Sequence, residues 1–122
     1  MRKFSTAISI VAVLLWCTCI ISQLYAQQAN PNYKFVQFQV EQLKSLEDAR
    51  SIDASLRSQT GVLTSRTDHR SKILLCIFDA DTNISESTFV NWLNNLGFQI
   101  DCYREGIHGV DKILAREDFV CN

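Results

Sequence analysis

Apolar and polar residues follow two different periods along the central part of the chain, and these periods predict strands and helices. From Phe35 to Glu41 every second residue is apolar or aromatic, which is typical of a strand with one buried face. The unbroken apolar run at residues 73–78 predicts a strand that is buried on both faces. We expect two further strands, one that opens at Gly61 and one at residues 98–102.

Two segments show the three- to four-residue spacing of amphipathic helices. The apolar positions of the first segment are Leu46, Ala49, Ile52 and Leu56, and those of the second are Phe89, Trp92, Leu93 and Leu96. Ser45 precedes the first helix and Asp48 follows three residues later, which is the pattern of a capping box. Ser85 is suited to cap the start of the second helix, and Gly97 is suited to a left-handed C-terminal cap.

The order strand, helix, strand, strand, helix, strand predicts an α+β fold. It indicates a ferredoxin-like βαββαβ sandwich in which two helices cover one face of a four-stranded antiparallel sheet. We expect residues 68–71 to form the hairpin loop and the other face of the sheet to be wetter. The residues predicted to line that wetter face are Gln37, Gln39, Asp101 and Tyr103. Gly106 and Gly109 should break the chain after the last strand, and residues 110–119 could form a short helical turn.

The first 26 residues have the features of a secretory signal peptide. Arg2 and Lys3 give a positive start, residues 7–21 are almost wholly apolar, and Ala26 is a small residue suited to cleavage before Gln27. We therefore expect an exported protein, either periplasmic or secreted. The alternative is a retained membrane anchor, although the apolar run is shorter than the roughly 20 residues that a helix needs to span a bilayer.

After the predicted signal peptide, 96 of the 122 residues remain, a length that predicts one domain with a modest core. We expect a flexible leader at residues 27–34, a folded domain at 35–104 and a C-terminal extension at 105–122. Without Arg2 and Lys3 the chain has 10 basic and 13 acidic residues and shows no basic stripe, so we expect no nucleic-acid partner. Nothing in it has the spacing of a catalytic triad, a phosphate loop or a pair of catalytic acids, so we expect no enzyme.

Three cysteines remain after the predicted signal peptide, and two hypotheses compete for a pair of them. Cys76 lies within an apolar run and should be a buried core residue. In an oxidising compartment Cys102 and Cys121 could form a disulfide that ties the extension to the last strand. Alternatively, Cys102 and Cys121 could bind a copper or zinc ion together with His108 or, less well placed, His69, although their spacing is not that of a known zinc motif.

Residues 52–100 combine four features: a spacing of hydrophobic residues before Gly61, a central apolar strand, a serine that opens the second helix, and a glycine before the last strand. The residues that carry them include Ile52, Ala54, Leu56, Val62, Ser85, Leu96, Gly97 and Phe98. In these features the segment resembles the heavy-metal-associated domain of copper chaperones and of the metal-binding repeats of P-type ATPases. The resemblance implies the ferredoxin-like fold that the periodicity also predicts.

The family binds metal through Met-x-Cys-x-x-Cys in the loop before the first helix. This chain has Leu43 at the position of the methionine, and Ser45 and Asp48 at those of the two cysteines. Hydroxyl and carboxylate oxygens are hard ligands that bind Cu(I) poorly. We therefore expect no metal cofactor in this loop and a small binding module that acts through contacts with an unidentified protein partner. The alternative is binding or transfer of copper or zinc through non-standard ligands.

Overall fold

The structure, a computed structural model, describes residues 32–121. The predicted signal peptide, its cleavage site after Ala26 and most of the predicted leader lie outside these residues. Within the described part of the chain, no helix has both the length and the apolar character that crossing a membrane requires.

Six main elements form the βαββαβ order that the sequence predicted. They are β1 (Tyr33–Glu41), α1 (Leu46–Arg57), β2 (Val62–Asp68), β3 (Ile73–Asp79), α2 (Glu86–Asn95) and β4 (Gln99–Ile107), followed by a short 3-10 helix at Arg116–Asp118. The strands form one antiparallel sheet in the order β2-β3-β1-β4. The ferredoxin-like fold is therefore confirmed, and the short helical turn lies within the predicted residues 110–119.

The hydrophobic core lies between the sheet and the two helices. Alternate residues of the two central strands point into it, and both helices contribute their apolar stripe. The buried core residues are Val36, Phe38 and Val40 of β1, Leu74, Cys76 and Phe78 of β3, Ala49, Ile52 and Leu56 of α1, and Phe89 and Leu93 of α2, with Leu43 before α1. We call this side of the sheet the helix face. Each fully buried Leu or Phe side chain in it contributes about 1.5–3 kcal/mol by leaving water.

Helix α2 begins after Ser85 and ends before Gly97, as the sequence predicted. The Ser85 backbone N–H donates to the Thr88 hydroxyl oxygen at 3.1 Å, which satisfies a donor at the helix start. Gly97 has a φ of 89°, and the N–H of Phe98 donates to the Leu93 carbonyl at 2.9 Å. This geometry ends the helix in a Schellman motif, which favours glycine because a Cβ atom is unfavourable at positive φ.

The prediction for Tyr103 was wrong because β4 contains a bulge. Cys102 and Tyr103 both lie opposite Phe38, and Cys102 takes a φ of 55°. One extra residue reverses the alternation of side chains along a strand. Tyr103 therefore turns to the helix face, where its ring stacks on that of Phe38 at 6.2 Å, and not to the wetter face of the sheet.

Strands β1 and β4 are also longer than predicted. β1 begins at Tyr33, and β4 continues to Ile107 through Gly106, which the sequence had suggested would break it. A Cβ atom on Gly106 would lie 2.6 Å from the ring of Phe35 and 2.9 Å from the Cβ of Asp111. The glycine therefore serves close packing against an aromatic ring.

Candidate functional site

The residues after β4, which we call the tail (residues 108–121), lie against the sheet face that points away from the helices. We call this side the outer face. Its residues include Phe35 and Gln37 of β1, Ile73, Leu75 and Ile77 of β3, and Arg104 and Gly106 of β4. Phe35 is fully buried on this side, and the Arg104 guanidinium lies 5.6 Å from the centre of its ring.

Gln37 holds the middle of the tail through its side-chain amide. Its Nε2 donates to the Leu114 carbonyl at 2.9 Å, and its Oε1 accepts from the Leu114 N–H at 3.0 Å. Arg104 donates to the same Oε1 and, at 3.2 Å, to the Lys112 carbonyl. Gln37 was predicted to face water but is only 3% exposed, because the tail covers it and satisfies its polar groups.

A disulfide attaches the C-terminal end of the tail to β4. Cys102 and Cys121 form a disulfide, with 5.4 Å between their Cα atoms, as the sequence had suggested. Cys76 is buried and free, also as predicted. Burial, followed by the negative charge of Asp53, raises the pKa of the Cys76 thiol to about 12, so it is not a nucleophile near neutral pH.

The structure does not bring His108 to the two cysteines. His108 follows the last residue of β4, and its backbone N–H donates to the Tyr33 carbonyl at 2.9 Å. It is six residues from Cys102, or about 20 Å along an extended strand. Instead, the Asp101 carboxylate joins the cysteines in a group whose potential ligand atoms lie within 4.8 Å of one another.

Hydrogen bonds between residues 44–48 stabilise the loop before α1 and the start of that helix. The Asp48 N–H donates to the Ser45 hydroxyl oxygen at 3.1 Å, and the Asp48 carboxylate accepts from the Lys44 N–H at 3.2 Å. Leu43, just before them, is only 2% exposed and packs into the core. The predicted helix cap is confirmed, with the one difference that Asp48 reaches the N–H of Lys44 and not that of Ser45.

A groove of about 390 Å³ lies on the outer face, between the tail and the edge strand β2. Ile73 and Leu75 of β3 lie along it with Ile113 and Leu114 of the tail. Sequence reasoning missed this groove because it treated the extension as separate from the sheet face. The signal in the sequence was the apolar run of β3, which was predicted to be buried on both faces; its outer-face side chains Ile73, Leu75 and Ile77 are instead partly exposed.

Two arginines and one carboxylate line the same groove. Arg116 forms an ion pair with Asp68 at 3.8 Å, and Arg66 lies on β2 next to them. A hydrogen bond from the Ser71 hydroxyl, then one from the Arg70 N–H, lowers the pKa of Asp68, with a further contribution from the charge of Arg116. Among the residues that the structure describes, Arg66 makes no hydrogen bond or ion pair through its side chain.

Solved structures of small copper-binding domains share this architecture. The CopZ metallochaperone is 14% identical with a TM-score of 0.50, and the match covers 54% of this chain and 97% of that one. A copper-binding domain from HMA7, a P-type ATPase, is 18% identical with a TM-score of 0.52, over 56% of this chain and 90% of that one. The water-soluble region of the P-type ATPase CopA from Bacillus subtilis is 17% identical with a TM-score of 0.53, over 58% of this chain and 46% of that one.

This chain has the fold of a heavy-metal-associated domain. No family model and no curated protein matches its sequence. Identities below 20% establish the fold alone, so the function has to be argued from the residues of this chain. The first two matches cover nearly all of the solved domains but little more than half of this chain, which therefore has substantial segments beyond the shared fold.

Proposed function

We propose that this protein is an exported, non-catalytic binding module that uses the heavy-metal-associated fold without metal in its first loop and acts through contacts with a protein partner. The observation that carries the proposal is the hydrogen bonding of Ser45 and Asp48. These residues stand at the positions that the family resemblance assigns to the two metal-binding cysteines.

The chemistry of these side chains does not fit a copper ion. Cu(I) prefers thiolate and thioether sulfur, whereas Ser45 and Asp48 offer only oxygen atoms. Both side chains are also occupied, since the Ser45 hydroxyl caps the Asp48 N–H and the Asp48 carboxylate caps the Lys44 N–H. Metal binding would have to break these bonds. The loop therefore supports a helix start better than it supports metal transfer.

A Cu(I) competition titration against a chelator tests this conclusion. Wild-type protein with its disulfide intact should show no tight site. The double substitution Ser45→Cys and Asp48→Cys should create a two-thiolate site with a large gain in affinity. Tight binding by the wild-type protein would contradict the proposal, and equal affinities would contradict the assignment of these positions.

The second helix offers a matched control. Ser85 and Thr88 occupy the same positions at the start of α2, so the change Ser85→Cys with Thr88→Cys creates the same cysteine spacing at the start of the other helix. We expect weaker binding by this pair, because the resemblance places the metal site before the first helix. Equal binding by the two pairs would show that any helix start suffices and that the first loop has no special shape.

Metal binding through non-standard ligands is the second candidate, and the convergence of Asp101, Cys102 and Cys121 is the observation that favours it. The two sulfur atoms are joined in a disulfide, which cannot supply thiolates. Such a site would require prior reduction, for example by a dithiol. A zinc or Cu(I) titration with and without that reductant tests it, and binding in the oxidised form would contradict this choice of ligands.

Export is part of the proposal and has its own test. The positive start, the apolar run and the small residue Ala26 support it. The mature protein should begin at Gln27, which intact mass or N-terminal sequencing of the protein outside the cytoplasm would detect. A full-length product held in the membrane would contradict cleavage.

A further inference from the structure

The tail divides the outer face of the sheet into two unequal halves. Phe35 and Gln37 lie beneath it on the β1 side and are almost fully buried. On the β3 side Ile73, Leu75 and Ile77 remain partly exposed. The groove of about 390 Å³ runs along this second half, so the apolar stripe of β3 is open to solvent between the tail and β2.

The groove has apolar surfaces on two sides. Ile73 and Leu75 line it from the sheet, and Ile113 and Leu114 line it from the tail. Leu114 is held in place by Gln37, and the tail beyond it is tied to β4 by the disulfide. The tail side of the groove is therefore already ordered, so binding a ligand there carries a smaller entropic cost than ordering a free segment would.

The charge at the groove is opposite to that of the chain as a whole. The protein carries a formal net charge of −1, but Arg66 and Arg116 outnumber the single carboxylate of Asp68 at the groove. Asp68 is already engaged by Ser71, the Arg70 N–H and Arg116. Arg66 lacks such a partner within residues 32–121, so it is available to an anionic group.

We propose that this groove binds an extended, acidic segment of a partner protein, with an aliphatic side chain packed on Leu75 and Ile113 and a carboxylate paired with Arg66. This proposal rests on the proposed function and names the surface and the chemistry of the partner. Arginine presents a planar fork that suits a carboxylate, and the apolar stripe suits the side chains on either side of it. The apolar lining distinguishes such a segment from a nucleic-acid backbone, which would require a basic stripe.

The experiment selects peptides from a random display library on the full chain with its disulfide intact. Selected peptides should combine acidic with aliphatic residues. Binding of a labelled, selected peptide, measured by fluorescence anisotropy, should weaken on raising the salt concentration, because exposed charges are screened. A selection without acidic enrichment, or one that yields no binder, would overturn the proposal.

Charge reversal at the groove is the decisive variant. Arg66→Glu should weaken binding of the selected peptide about tenfold, because the reversal removes one attraction and adds a repulsion of similar size. Arg50→Glu is the matched control, because Arg50 is an exposed arginine of α1 on the helix side of the sheet. Unchanged binding by the groove variant, or an equal loss in the control, would overturn the proposal.

A second measurement locates the peptide without depending on these variants. Amide NMR shifts should move at Ile73, Leu75 and Ile113 when the peptide is added. Shifts confined to residues 43–48 would overturn the groove proposal but leave the proposed protein-binding function intact. Failure of the proposed function would instead appear in the Cu(I) titration, as a tight site in the wild-type protein.

Discussion

The two faces of the sheet differ in what packs against them and in the interactions that hold it there. The helix face is covered by α1 and α2 through interlocking apolar side chains, including the aromatic rings of Phe38, Phe78 and Phe89. The β1 half of the outer face is covered by the tail, which a glutamine amide, an arginine and a disulfide hold in place. Apolar packing is distributed over many contacts, whereas the tail depends on a few specific ones.

This difference has a functional consequence. A helix layer buries the whole surface beneath it and leaves little room for a ligand. A narrow tail with a few attachment points covers one half of a face and leaves a groove beside it. The groove proposed as the binding surface therefore lies on the outer face, while apolar packing on the helix face stabilises the fold.

The largest expected effect compares two phenylalanines of β1 that point to opposite faces. Phe38→Ala should lower the free energy of unfolding by about 3–5 kcal/mol, because it leaves a cavity among well-packed rings. Phe35→Ala should cost less, since the tail can settle into the space. Both side chains are fully buried, so the pair is matched for exposure. Urea denaturation measures both, and equal losses would contradict the difference between the faces.

Opening the disulfide should have the next largest effect. Cys102→Ser with Cys121→Ser should cost about 3 kcal/mol, as expected in the chain-entropy model for a loop of this size. Amide exchange should accelerate at Leu114 while the core amides of β1 and β3 remain protected after allowance for the lower global stability. Uniform acceleration throughout the sheet would show that the tail and the helix face unfold as one unit.

Removing the amide that holds the tail should cost less again. Gln37→Ala leaves the Leu114 N–H and carbonyl without partners, at about 1–3 kcal/mol. Gln39→Ala is the control, because Gln39 lies two residues along the same strand on the same face and is less buried. Thermal unfolding measures both variants. A loss in the control as large as that of Gln37→Ala would show that the hydrogen bonds to Leu114 are unimportant.

Loss of the cap at α1 is expected to cost about 1 kcal/mol. Ser45→Ala removes the acceptor for the Asp48 N–H, and substitutions at such positions typically have this effect. The helix should persist because Ile52 and Leu56 pack into the core. Chemical denaturation with far-UV circular dichroism would detect both results, and loss of the helix signal would contradict them.

The smallest effect at neutral pH concerns Cys76. Burial raises the pKa of this thiol in the folded chain from 9.0 to about 12, so its contribution to stability is fully present below pH 9 and is lost as the pH rises toward 12. At pH 8 a thiol reagent should not modify Cys76 until denaturant is added, whereas Cys102 and Cys121 should react after reduction. Rapid reaction of Cys76 in the native protein would contradict its burial.

The elements, the helix ends and the helix face could be predicted because their determinants are local. Alternation in β1, the stripe of α2 and the left-handed position of Gly97 each depend on a few neighbouring residues. The candidate disulfide could also be suggested, because the cysteines and the expected oxidising compartment are visible in the sequence. The same local information placed Ser45 and Asp48 at a helix start.

Only the tertiary structure decided what lies on the outer face. A bulge at Cys102 turned Tyr103 to the helix face, and no residue pattern in β4 announces that extra residue. The tail buried Gln37 through contacts between residues 77 positions apart, which no local period encodes. Periodicity records whether a side chain of a regular element is apolar, but not which distant segment covers it. The groove with Arg66 and Arg116 arises from such long-range contacts, and the sequence alone therefore could not reveal it.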